Sequence, residues 1–287
     1  MKQLVLIAVQ ASVMLIVFGF GLNADIGSLR GLFRRPRLLV RSLVAMFVIM
    51  PILAVTLVRA FEFPQTVRIA LVALAISPIP PLFPRNESKA GGSTAEGVAL
   101  MVVLSSLSIV TIPASLEVLN AVFGLSLGIS PATVAGIVLR TVLGPVAAGM
   151  TVRRLMPAVA ARIEKPVMRV GGLLIAVVVV VLLAATAPAV WALVGDGTIV
   201  AMVVFTAAGL LVGHLLGAPN QDHSVVLALS TACRHPAMAL TLVSANFRDE
   251  RAGGAIVLYL LVSTLVAVPY VAWRRRIAAA QPTPRPA

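Results

Sequence analysis

GGLLIAVVVVVLLAATAPAVWAL, residues 171–193, is a continuous apolar run without a single charge. A helix needs about 20 such residues, at a rise of about 1.5 Å each, to cross the hydrocarbon of a bilayer. A membrane barrel strand would alternate apolar and polar positions instead. The rest of the chain has the same character: of 287 residues, 60% are hydrophobic and 11% charged, with a mean hydropathy of +1.04. A soluble exterior cannot be built from so few polar side chains, and disorder is excluded for the same reason. The single cysteine, Cys233, rules out a disulfide scaffold. The composition is that of an all-α polytopic membrane protein.

Measured against that length, the sequence predicts nine spans: 4–22, 37–60, 66–95 (interrupted), 97–119, 132–151, 168–191, 198–216, 224–247 (interrupted) and 254–273. No connection between them exceeds about 16 residues, too short to fold as a domain. The net charge of +13 reads as membrane topology rather than nucleic-acid binding, since Lys and Arg collect in cytoplasmic loops. One side holds twelve bases: Arg30, Arg34, Arg35, Arg37, Arg153, Arg154, Arg162, Lys165, Arg274, Arg275, Arg276 and Arg285. The other holds four: Lys2, Arg59, Arg248 and Arg251. This asymmetry places the amino terminus outside and the carboxyl terminus in the cytoplasm of a plasma (inner) membrane protein.

Two segments recur. IALVALAISPIPP (69–81) resembles VVLALSTACRHP (225–236), and VALMVVLSSLSIVTIP (98–113) resembles AIVLYLLVSTLVAVP (255–269). Their closing prolines, Pro81 with Pro236 and Pro113 with Pro269, are offset by 155 and 156 residues, which points to one duplication. The copies stand an odd number of spans apart, so the second is inverted, an arrangement found in secondary transporters. The halves run over about 1–124 and 131–273 of one transmembrane domain, 1–287.

Both interrupted spans carry proline amid polar residues, SPIPPLFPRNESKAGGSTAE (77–96) and STACRHPAMALTLVSANF (230–247). Proline lacks a backbone donor and clashes with the preceding turn, so each helix must break. The freed backbone groups cannot face lipid and must line a cavity or be buried in protein. Paired breaks of this kind locate a substrate site near the midplane. The expected binding residues are Ser77, Pro81, Glu87, Ser88, Ser105, Ser230, Thr231, Arg234, His235 and Pro236. Arg234 lies about ten residues into its span, where a charge costs at least about 2.5–3.5 kcal/mol. It either serves substrate or caps carbonyls freed by Pro236, and His235 has the same two readings. Glu87 and Lys89 either line the cavity or form a solvated turn. Ser105 and Ser108 either face the break or bond back to their own helix. Arg140, inside the fifth span, snorkels or marks a second polar surface.

No enzyme signature is present: His214, His223 and His235 lack metal-ligand spacing, and no nucleophile elbow or phosphate loop occurs. No cofactor and no protein partner are implied. The partners expected are the lipid bilayer and a small organic anion.

These features together resemble the bile acid:sodium symporter family. The resemblance rests on MLIVFGFGL (14–22), LRGLFRRPRLLVRSLVAMFVIMP (29–51), SPIPP (77–81) and TACRHPAMAL (231–240). It implies a panel of the spans 4–22, 132–151 and 168–191 beside a core drawn from 37–119 and 198–273, with the two broken helices crossing. It also implies an organic anion, bile acid-like or a small carboxylate, as substrate. Its sodium ligands are degenerate here, near Ser88, Ser105 and Ser230: Ser230 stands at the family's Glu position, Arg234 at its Gln and His235 at its Asn. A fixed arginine repels a cation, which puts ordinary two-sodium coupling in question and leaves sodium or a proton as the coupling ion. The function expected is secondary transport of an organic anion by alternating access; a passive channel or an integral-membrane enzyme is the alternative.

Overall fold

The computed structural model describes residues 2–24, 26–81, 84, 90, 94–123, 127–191, 193–195, 197–247 and 251–280. Among these residues there are helices and short connections, and no strand. Helix α1 is Lys2–Asn23 and α2 is Ile26–Phe33. The next span is α3 (Pro36–Val44) and α4 (Met50–Ala60), joined without interruption by a π-helical turn, Ala45–Ile49. Then come α5 (Gln65–Ile76) and α6 (Thr94–Phe123). A second π-helical turn, Leu139–Leu143, joins α7 (Pro131–Val138) to α8 (Gly144–Leu155). Helix α9 is Pro157–Trp191 and α10 is Thr198–Gly217. Helices α11 (Gln221–Ala232) and α12 (Pro236–Asn246) are the halves of the second interrupted span, and α13 is Arg251–Ala280. Six helical spans among the described residues are long and apolar enough to cross a membrane. The exposed Leu173, Val177 and Val180 of α9, spaced along one helical face, are what a lipid-facing surface requires.

The two π turns, which the apolar pattern does not announce, have a common cause. Each is followed by X–Pro, Met50–Pro51 after the first and Gly144–Pro145 after the second. Proline crowds the carbonyl four residues back. The turn widens to relieve this, so that Met50 N–H bonds Ala45 O and Gly144 N–H bonds Leu139 O, each five residues back. In that register Met46 O would next bond the nitrogen of Pro51, which has no hydrogen.

Small residues set the closest helix pairs. Gly209, Gly213 and Gly217 form a stripe on α10 along which α11 lies backbone to backbone; a methyl at Gly213 would overlap the Leu227 carbonyl. Gly21 of α1 and Gly149 of α8 meet in the same manner. Helix α1 packs with α8 and α9, while Val98 and Met101 of α6 meet it across the cluster of Ile16, Val17, Phe20, Val142 and Val146.

The basic segments gather at one end of the bundle. Arg153 donates to Asn23 O, and Arg41 Nη1 donates to Leu216 O and Ala218 O at 2.9 and 3.1 Å. Arg35 pairs with Glu96 and meets His223 Nε2 at 3.3 Å, tying the starts of α3, α6 and α11 together. At the opposite end, Arg59 Nη2 donates to Val122 O at 3.0 Å and its guanidinium covers the Phe123 ring.

Candidate functional site

The two breaks meet. Helix α5 stops at Ile76 because Ser77 is followed by Pro78, Pro80 and Pro81; α11 stops at Ala232 because Pro236 cannot donate to it. The N–H of His235 donates to Pro78 O at 2.9 Å, joining the breaks backbone to backbone. They lie at the seam between two apolar clusters. One contains Met50, Leu74, Ile76 and Met238, the other Met46, Ile79, Leu229 and Ala232.

Three carbonyls around these breaks lack a helical donor, and a side chain from another segment satisfies each. Ser77 is extended just past the end of α5, so its carbonyl has no helical donor, and Pro51 leaves Met46 O without one. Arg234 Nη1 donates to both, at 3.2 and 3.4 Å. Pro236 leaves Ala232 O without its donor, and the Tyr259 hydroxyl of α13 supplies one at 2.5 Å. Unpaired carbonyls in such a place would each cost roughly 1–3 kcal/mol. Arg234 is thus a carbonyl cap, though for Met46 and the end of α5 rather than for the carbonyl freed by Pro236.

That role uses one nitrogen of three. Arg234 is 1% exposed, and its Nε and Nη2 meet no acceptor among the described residues. A buried guanidinium with donors to spare is a strong anchor for a carboxylate, which accepts two parallel bonds. His235 caps α12, its Nδ1 accepting from Met238 N–H at 3.3 Å, and its buried Nε2 meets no partner among the described residues. Pro236 occupies the first helical position of α12, where a missing donor costs nothing.

The other expected residues are placed as follows. Ser77 is buried, its hydroxyl bonding back to Ala73 O at 2.7 Å, so it offers the site its carbonyl. Ser230 likewise bonds back to Leu227 O at 3.1 Å. Thr231 Oγ1 and Ser105 Oγ are buried with no partner among the described residues. Ser108 donates to Ser105 O at 2.6 Å, and no hydrogen bond among the described residues ties Ser105 to the breaks. Pro81 is buried at the end of the first break, whereas Glu87, Ser88 and Lys89 lie outside the described residues. Arg140 sits in the second π turn, exposed beside a groove formed by α1 and α8.

Two contributors were absent from the sequence expectations. Tyr259 is completely buried and stands edge-on to Phe205; one of only two tyrosines, in the middle of an apolar span, it carries a hydroxyl that needs a partner. Arg68, on the first turn of α5, lines a cleft of about 240 Å³ with Gln65 and Asn246. Apolar side chains of α4, α5, α6 and α12 form the rest of the described lining. Its position just past Gln65 reads as a helix-end charge, and only the packing of α5 against α6 and α12 turns it toward a cleft.

Apolar spans, paired breaks and buried polar groups at their junction define an integral membrane protein of the transporter class. Residues 11–193 match the model of the Sodium Bile acid symporter family, and the chain belongs to that family of membrane transporters. The matched stretch takes in the first break and ends before the second. No curated protein matches the chain.

Proposed function

We propose that this transporter is a secondary carrier of an organic anion that works by alternating access in the inner membrane. Its amino terminus lies outside and its carboxyl terminus in the cytoplasm. The observation that carries the reading is Arg234: fully buried where two broken helices join, with one nitrogen on the backbone and two that meet no acceptor among the described residues. A nine-span plan with two inverted repeats accounts for the symmetry around it. Helices α5 and α11 are each 12 residues long and end in a proline-bearing break. The helices that follow, α6 and α13, are each 30 residues long and contain Pro113 and Pro269. The panel is α1, α7–α8 and α9, and the core, which holds both breaks, rocks against it.

Sodium fits this junction poorly. The described polar groups there are backbone carbonyls, hydroxyls, the His235 imidazole and a guanidinium, and a cation needs several oxygen ligands free of a neighbouring positive charge. Arg234 takes the place of the ion: a tethered cation binds the anion without co-transported sodium, leaving a proton gradient or the substrate gradient to drive the cycle. Uptake into proteoliposomes preloaded with the same anion tests the reading. Saturable counterflow unchanged when sodium replaces potassium is expected. Flux without saturation overturns the carrier, and strong sodium stimulation overturns the role given to Arg234.

A further inference from the structure

The cleft lined by Arg68 opens at the end of the bundle opposite the basic loops, between the start of α5 and the ends of α6 and α12. Its inner part is formed by Ala73 and Ile76, and the residue after Ile76 is Ser77, whose carbonyl holds Arg234. We propose that this cleft is the outer binding site for a small apolar monocarboxylate, with the carboxylate on Arg68 and the hydrocarbon against α5, α6 and α12. The proposal rests on the organic-anion reading above and narrows it.

Three observations select that occupant. Arg68 is the one charged side chain in the described lining, which contains no carboxylate, so an anion is favoured and a cation is not. The walls are aliphatic and aromatic, Ile69, Val72, Leu116 and Leu242 among them, so the body of the ligand gains by leaving water. The volume of about 240 Å³ is below the roughly 300–1,000 Å³ that enclose drug-sized ligands. A compact acid matches that volume better than a sterol conjugate. Asn246 is held in place by its amide, which donates to Leu242 O and accepts from Gly128 N–H and keeps a second N–H beyond those two bonds.

The location adds a path. From Arg68 to Ser77 is nine residues of α5 and its end, about 13 Å at helical rise. An acid held at Arg68 with its body pointing inward reaches toward the junction where Arg234 offers the second guanidinium. One cation receives the substrate at the mouth and the other holds it at the breaks.

Equilibrium binding to the full-length protein in detergent micelles, with 4-phenylbutyrate, its primary amide and cholate as probes, tests this. Wild-type protein is expected to bind 4-phenylbutyrate saturably and the neutral amide roughly tenfold or more weakly, since the amide loses the charge-assisted bonds. Arg68→Gln is expected to weaken 4-phenylbutyrate by a similar factor while Arg68→Lys retains most of the affinity, and cholate is expected not to compete. Ala73→Leu, which fills the inner part, is expected to abolish binding; Arg68→Gln changes an exposed side chain and keeps the test valid if Ala73→Leu fails to fold. Affinity indifferent to Arg68→Gln, equal binding of acid and amide, or competition by cholate each overturns the proposal. Counterflow of 4-phenylbutyrate lost in Arg234→Gln alone sinks the cleft and leaves the carrier standing. Arg68-dependent binding without counterflow of any anion sinks the carrier and leaves the cleft.

Discussion

Arg234 and Tyr259 do complementary work on the same backbone. Each donates to backbone carbonyls that have no helical partner where a helix widens or ends. They differ in what remains. Tyr259 spends its only donor on Ala232 O, so its role is structural; two nitrogens of Arg234 meet no acceptor among the described residues. Tyr259→Phe is therefore expected to lower stability by about 1–3 kcal/mol, the cost of one buried unsatisfied carbonyl, read as earlier heat unfolding in detergent. Anion affinity should hold. Arg234→Gln is expected to cut counterflow at least tenfold per folded molecule, because an amide has no charge to hold a carboxylate. Comparable loss of folded protein and of transport would reduce Arg234 to a cap.

At the scale of the element, proline and glycine do most of the shaping. Pro236→Ala restores an N–H that competes with Tyr259 for Ala232 O and favours one continuous helix through Cys233–His235. Transport per folded molecule is expected to fall further than folded yield, measured by counterflow against a fluorescent size-exclusion profile. Gly213→Val is expected to do the reverse. Its side chain would enter the Leu227 carbonyl, and overpacking of this kind costs about 1–3 kcal/mol, so folded yield drops while surviving molecules transport. Both breaks were legible in the sequence, because proline among polar residues inside an apolar span has few structural meanings. The close approach at Gly209, Gly213 and Gly217 emerged only from the packing of α10 on α11. The π turns were not legible either, since Pro51 and Pro145 fit an ordinary kink equally well and only the carbonyl register separates the two.

Across the whole molecule, the basic loops of α2–α3, α8–α9 and α13 share one end with the starts of α6 and α11. Lys and Arg resist translocation, so the proposed orientation puts that end in the cytoplasm. A cysteine placed at Gly195, exposed between α9 and α10, is expected to react with a membrane-impermeant maleimide on intact cells. One at Ala158, exposed near the start of α9, is expected to react only after permeabilisation. Reversed labelling would invert the protein and move the Arg68 cleft to the cytoplasmic side.

What the sequence determined by itself is everything that follows from local chemistry. Continuous apolar runs have to be membrane helices, and the helices begin and end within a few residues of where hydropathy and proline put them. The departures are α2, Ile26–Phe33, which falls in none of the expected spans, and α9, which starts at Pro157 rather than near 168 because its polar first turns keep helical propensity outside the hydrocarbon. The breaks at 77–81 and 233–236 and the charge inside the second one were also written in the chain. The partners of those groups were not. That Arg234 would bond Met46 O, 188 residues away, or that Tyr259 would cap Ala232 O rather than Arg234 doing so, depends on which helices lie side by side. A hydrogen-bond donor carries no label for its acceptor. Only the packed bundle brings an orphaned carbonyl and a buried donor to within about 3 Å of each other.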